Sequence, residues 1–102
     1  MLPTNITDAI HASLQSIQQD EPNNNFDTHR VEHELIRNHS AAFGNGLLSF
    51  TDGTTYALKE FSRRIGIYLL RNCSDIVRKT GRVTGYNLAG RLCLNAQWEF
   101  LN

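Results

Sequence analysis

Two cysteines, two prolines, one methionine and one tryptophan are all that this 102-residue chain holds of those types, and the scarcities exclude several classes of protein. Cys73 and Cys93 are too few for a disulfide framework or a cysteine zinc set. Both fall in segments with a helical pattern and read as buried free thiols of a reducing compartment. No apolar run approaches the ~20 residues that span a bilayer, and no basic-then-apolar leader opens the chain. An intracellular protein is expected, with the sequons at Asn5, Asn38 and Asn72 unused. There is also no excess of charge, since ten basic residues balance ten acidic ones. A chain strongly drawn as a whole to a polyanion is thereby excluded. Absent too are a glycine-rich phosphate loop after a strand, a cysteine–histidine nucleophile pair and converging carboxylates, so neither catalysis nor a cofactor is expected.

What charge there is lies unevenly. Residues 1–58 carry seven acidic and two basic groups, while 59–91 carry eight basic and two acidic ones, so the second half alone has the balance to face a polyanion. Apolar residues mark the organisation. Ile6, Ile10, Leu14 and Ile17 recur at helical spacing, with Thr4 or Thr7 placed to cap the start. The run Asp20-Glu21-Pro22-Asn23-Asn24-Asn25 then reads as a linker, because proline cannot continue a helix and asparagine favours turns. Residues 1–27 are thus expected as an appended helix and linker, and 28–102 as the main domain. A second helix follows from about Thr28 to Phe43, ending at Gly44 or Gly46.

The broadest apolar stripe comes next. Leu58, Phe61, Ile65, Tyr68, Leu69, Cys73 and Ile76 recur at spacings of three and four between about Thr54 and Lys79, predicting one long amphipathic helix. Two short flanking helices are too little to cover it, so a small chain of this kind is expected to dimerise. Gly66, near the midpoint, suits close approach of a second long helix. After the break Thr80-Gly81-Arg82-Val83-Thr84, a last helix is predicted from Leu88, Leu92, Ala96 and Phe100 at fourfold spacing, weakened by Gly85 and Gly90.

The separation of the two breaks resembles that of the histone-fold superfamily. Gly46-Leu47-Leu48-Ser49-Phe50-Thr51-Asp52-Gly53 is similar to that family's first loop, and Val83-Thr84-Gly85-Tyr86-Asn87-Leu88 to its Val-Thr-x-x-Asp-Val opening of the last helix. Core histones, TBP-associated factors and the CENP-S, CENP-T and CENP-X group share this layout. The resemblance covers 46–92 and implies an all-α fold, with short, long and short helices joined by strand-like loops, plus the N-terminal helix. It further implies a nuclear, chromatin-associated handshake dimer, hetero rather than homo, with Leu58, Phe61, Ile65, Gly66, Tyr68, Leu69, Cys73 and Ile76 at the interface. Arg78, Lys79, Arg82, Thr84 and Ser49 would then contact the backbone of double-stranded DNA, weakly and without base preference.

Two other functions compete with this one. One is a purely protein-binding scaffold subunit of a transcription coactivator, which suits the neutral overall charge. The other is a small zinc hydrolase, since His29-Arg30-Val31-Glu32-His33 fits H-x-x-E-H, with two histidines one helical turn apart and a glutamate as base. A third ligand from Glu60, Asp75 or Glu99 would be needed, and matches this short arise by accident.

Overall fold

The computed structural model describes residues 2–48, 57–88 and 90–101. Four helices and three strands follow one another as α1 (Thr4–Asp20), β1 (Asn25–Asp27), α2 (Thr28–Asn38), α3 (Ser40–Leu48), α4 (Ala57–Asn72), β2 (Val77–Tyr86) and β3 (Leu92–Phe100). The strands form one antiparallel sheet in the order β1-β3-β2. The all-α histone fold expected from the sequence is therefore overturned: the region assigned to the end of a long helix, a loop and a last helix is a β-hairpin.

The N-terminal helix behaves as its spacing requires. Ile6, Ile10, Leu14 and Ile17 are all buried, and they join the same apolar cluster as Phe61, Ile65, Leu69, Trp98 and Phe100. The helix expected as an appendage thus supplies one wall of the core. Its start follows Pro3 and has no side-chain cap; Thr7 Oγ instead donates to the carbonyl of Thr4 at 3.0 Å. The asparagine-rich run turns the chain as expected, with Asn24 at a positive φ of 64°, a conformation asparagine tolerates better than most residues. It leads, however, into β1, where Phe26 pairs with Trp98 and its ring lies 4.8 Å from that of Phe100.

Asp27 ends β1 and begins α2 by accepting a hydrogen bond from Arg30 N at 2.8 Å, the N-cap arrangement that satisfies an otherwise orphaned donor. The helix does not run on to Phe43. It stops at His39, and α3 continues through Gly44 and Gly46 rather than ending there. Gly46 has a packing reason: a Cβ at that position would sit 2.4 Å from Phe61 Cζ, so the absent side chain admits the ring. The sequence's proposed first loop lies partly in α3, and its remainder, with Ser49 and the Thr54 helix start, lies outside the described residues.

The central stripe exists but is shorter and is covered from within. Phe61, Ile65, Leu69 and Cys73 are fully buried in the single chain, where α4 packs against α2, α3 and β2; Leu58, Tyr68 and Ile76 are partly buried against the same cluster. Among the described residues no atom lies within 4 Å of where a Gly66 Cβ would stand, so no element described within this chain crosses closely there. The handshake arrangement, which needs two crossing long helices, falls with the all-α architecture.

A candidate binding surface on the β2–β3 hairpin

Alternation governs the C-terminal hairpin. Along β3, Leu92, Leu94, Ala96, Trp98 and Phe100 occupy one face, because successive side chains of a strand point to opposite sides. Antiparallel partners directly opposite each other share a face, so Tyr86, Thr84 and Arg82, which pair with Leu92, Leu94 and Ala96, extend that surface onto β2. A register shift between Lys79 and Gly81 inserts one extra residue. Its effect is chemical as well as geometric: Lys79 pairs with Trp98 and Arg82 with Ala96, so two cations three positions apart share one face. In an unbroken strand they would point oppositely. Gly81, at φ 151°, supplies the backbone freedom that such a bulge uses.

The two ends of this face have different surroundings. Trp98 and Phe100 are buried, whereas Tyr86, Leu92 and Leu94 are 62%, 59% and 55% exposed. Lys79 and Arg82 on this face are exposed as well, and neither is in an ion pair among the described residues. Arg78, on the opposite face, pairs with Glu99 across the strands.

The hairpin is held firmly. At its tip, Asn87 N donates to Arg91 O at 2.9 Å, and Asn87 Oδ1 accepts from Arg91 N at 3.0 Å. Towards its base, Asn95 Oδ1 accepts from His29 N at 3.0 Å, while Asn95 Nδ2 donates to Val83 O at 3.0 Å. Trp98 Nε1 donates to Thr28 Oγ1 at 3.0 Å. His33 Nε2 lies 3.0 Å from Tyr86 O, joining α2 to the outer end of β2. The exposed apolar residues therefore stand on an anchored ribbon.

The residues expected to touch DNA are only partly assembled. Lys79, Arg82 and Thr84 lie on one strand face, Arg78 is on the other face and neutralised by Glu99, and Ser49 is outside the described residues. Thr84 sits inside β2, so it offers no helix N-terminus for a phosphate. Of the expected interface residues, Phe61, Ile65, Leu69 and Cys73 are buried in the chain's own core, and Leu58, Tyr68 and Ile76 partly so.

The zinc alternative is not assembled either. His29 is buried and its Nδ1 has no hydrogen-bond partner, while His33 is exposed against Tyr86 O. Glu32 faces α4, where it accepts from Ser62 Oγ at 2.9 Å. Burial raises its carboxyl from the ordinary 4.5 to about 7; the Ser62 bond opposes that shift and the nearby Asp27 charge adds to it. Of the proposed third ligands, Glu60 pairs with Arg63 and Arg64, and Glu99 with Arg78. Among the described residues no three histidine, cysteine or acidic side chains gather as a metal site. A concavity of about 550 Å³ between α1 and the α2–α3 junction has Asp8, His39 and the exposed Ser40 in its wall.

Sequence reading missed Tyr86, Leu92 and Leu94 as a group. The available signal was the alternation Leu92-Cys93-Leu94-Asn95-Ala96-Gln97-Trp98-Glu99-Phe100. No protein-family profile, no curated protein and no solved structure matches this chain.

Proposed function

We propose that this protein is a binding module that recognises another polypeptide through the exposed face of its β2–β3 hairpin. The observation carrying this reading is the cluster of Tyr86, Leu92 and Leu94, each more than half exposed on a strand pair fixed at both ends. A single exposed leucine is ordinary, but adjoining large apolar residues on a rigid surface mark sites that other molecules cover. The bland alternative is that the Tyr86–Leu92 cross-strand pair merely stabilises the hairpin. That accounts for one pair and leaves Leu94 beside Thr84 without a task.

A photo-reactive residue in place of Leu94 tests the reading in cells that make the protein. A discrete protein adduct, lost when Leu92 is changed to serine, supports it; an adduct pattern identical to that from exposed Gln15 on α1 overturns it.

A weaker second reading is duplex DNA, favoured by Lys79 and Arg82 standing unpaired on one face. Binding of this kind would release few counterions and depend weakly on salt, and it would leave the apolar cluster unused.

A further inference from the structure

Resting on the reading of the hairpin as a polypeptide-binding face, we infer that its partner is an acidic segment of a different protein, with two or three apolar side chains spaced along it. The chemistry of the surface selects this occupant. Between the Arg82–Ala96 and Tyr86–Leu92 pairs the ribbon runs four residues, about 14 Å at ~3.4 Å per residue. Leu94, Leu92 and Tyr86 form the apolar centre. Arg82 and Lys79 stand at one end of it. An apolar centre flanked by two cations fits a segment carrying apolar residues among carboxylates, and charge at the edge of an interface selects partners and steers encounter.

A second copy of the chain does not meet that description. A two-fold pairing of hairpins sets this face against the same face of the other copy, which holds no carboxylate to meet Lys79 and Arg82. A head-to-tail contact would need free carboxylates elsewhere on the molecule, and most of those among the described residues are already engaged. Arg30 draws in Asp20, Glu21 and Glu34. Glu60 serves Arg63 and Arg64, and Glu99 serves Arg78. Glu32 is buried against Ser62, and Asp27 caps α2. Asp8 and Asp75 are the exposed carboxylates left without an ion pair among the described residues. Neither lies on the hairpin, so the described residues assemble no acidic complement to Lys79 and Arg82, and it is assigned to another protein.

The test uses the full chain and short synthetic peptides with Gly-Ser flanks, one bearing Leu-Glu-Leu-Glu, one Leu-Lys-Leu-Lys and one Ser-Glu-Ser-Glu, with binding followed by amide and methyl shifts in NMR titrations. The Leu/Glu peptide is expected to bind at least about tenfold more tightly than either of the others and to shift Leu92, Leu94 and Tyr86. In the Lys79→Glu/Arg82→Glu variant the preference is expected to reverse towards Leu/Lys. If parent and variant both bind the Leu/Lys peptide as well as the Leu/Glu one, and Leu94→Ser abolishes both, the acidic partner is refuted while the polypeptide-binding face stands. If Leu94→Ser alters no titration, the face itself is refuted. If no peptide binds at millimolar concentration, or a DNA duplex displaces the Leu/Glu peptide from the same residues, the acidic partner is likewise refuted.

Discussion

The two ends of one face of β3 carry similar side chains and have opposite fates. Trp98 and Phe100 are buried, at 1% and 3% exposure, while Leu92 and Leu94 on the same face are more than half exposed. Hydrophobicity does not separate them, since all four are large and apolar. What separates them is position. Trp98 lies opposite Phe26 of β1 and reaches Thr28 at the start of α2, whereas Leu92 and Leu94 lie beyond β1, opposite Tyr86 and Thr84 at the outer end of β2. A residue's pattern thus selects its face, and the neighbouring elements decide whether that face is core or display.

The largest expected effect is at the buried end. Trp98→Ala removes the ring that meets Phe26 and the indole N–H that satisfies Thr28, and should cost about 3–5 kcal/mol in urea unfolding. A loss below about 1 kcal/mol would show that the two ends are alike.

Glu32 sharpens the contrast by titration. Its carboxyl is raised from 4.5 to about 7 by burial, so between those values the folded chain holds a proton that the unfolded chain releases. Stability contributed by the protonated form is present in full below pH 4.5 and is lost as pH rises through about 7. The total loss is on the order of 3 kcal/mol. Glu32→Gln should flatten this slope and be more stable than the parent at pH 8, whereas an unchanged slope in the variant would place the titration elsewhere.

Gly85 tests how the ribbon is anchored. A Cβ there would stand 2.2 Å from Asp27 Oδ2, and Asp27 is not free to move, because its other oxygen caps α2. Gly85→Ala should therefore weaken the cap and cost about 1 kcal/mol. Asp27→Ala should cost a similar amount, and the double variant less than the sum, since both changes strike one contact.

Much of the helical half was legible because its signals are local. The spacing of Ile6, Ile10, Leu14 and Ile17 gave a helix whose apolar side is buried, and Phe61, Ile65 and Leu69 did the same for α4. The hairpin was misread because a fourfold spacing serves two periods. Leu92, Ala96 and Phe100 lie along a helix side, yet they also lie on one strand face, and only the intervening Leu94 and Trp98 decide between the two. The sheet also rests on β1, a three-residue strand inside the polar Asn-rich stretch that pairs with residues about seventy positions away. No window along the chain contains that pairing. The extension of the long helix towards Lys79 failed for a related reason: Cys73, Ile76 and Val77 keep the helical spacing while the chain turns at Ser74 and Asp75. Of the surface, Lys79 and Arg82 were noticed as cations. Their sharing a face depends on the bulge, which the sequence marks only by Gly81.

The smallest expected effect is the most direct test of the central claim that the outer end of the hairpin is displayed and not packed. Urea unfolding of the Leu92→Ser/Leu94→Ser double variant should give a free energy within about 0.5 kcal/mol of the parent, as for substitutions at exposed sites. A loss of several kcal/mol, comparable with Trp98→Ala, would mean that these leucines belong to the core and would contradict the account.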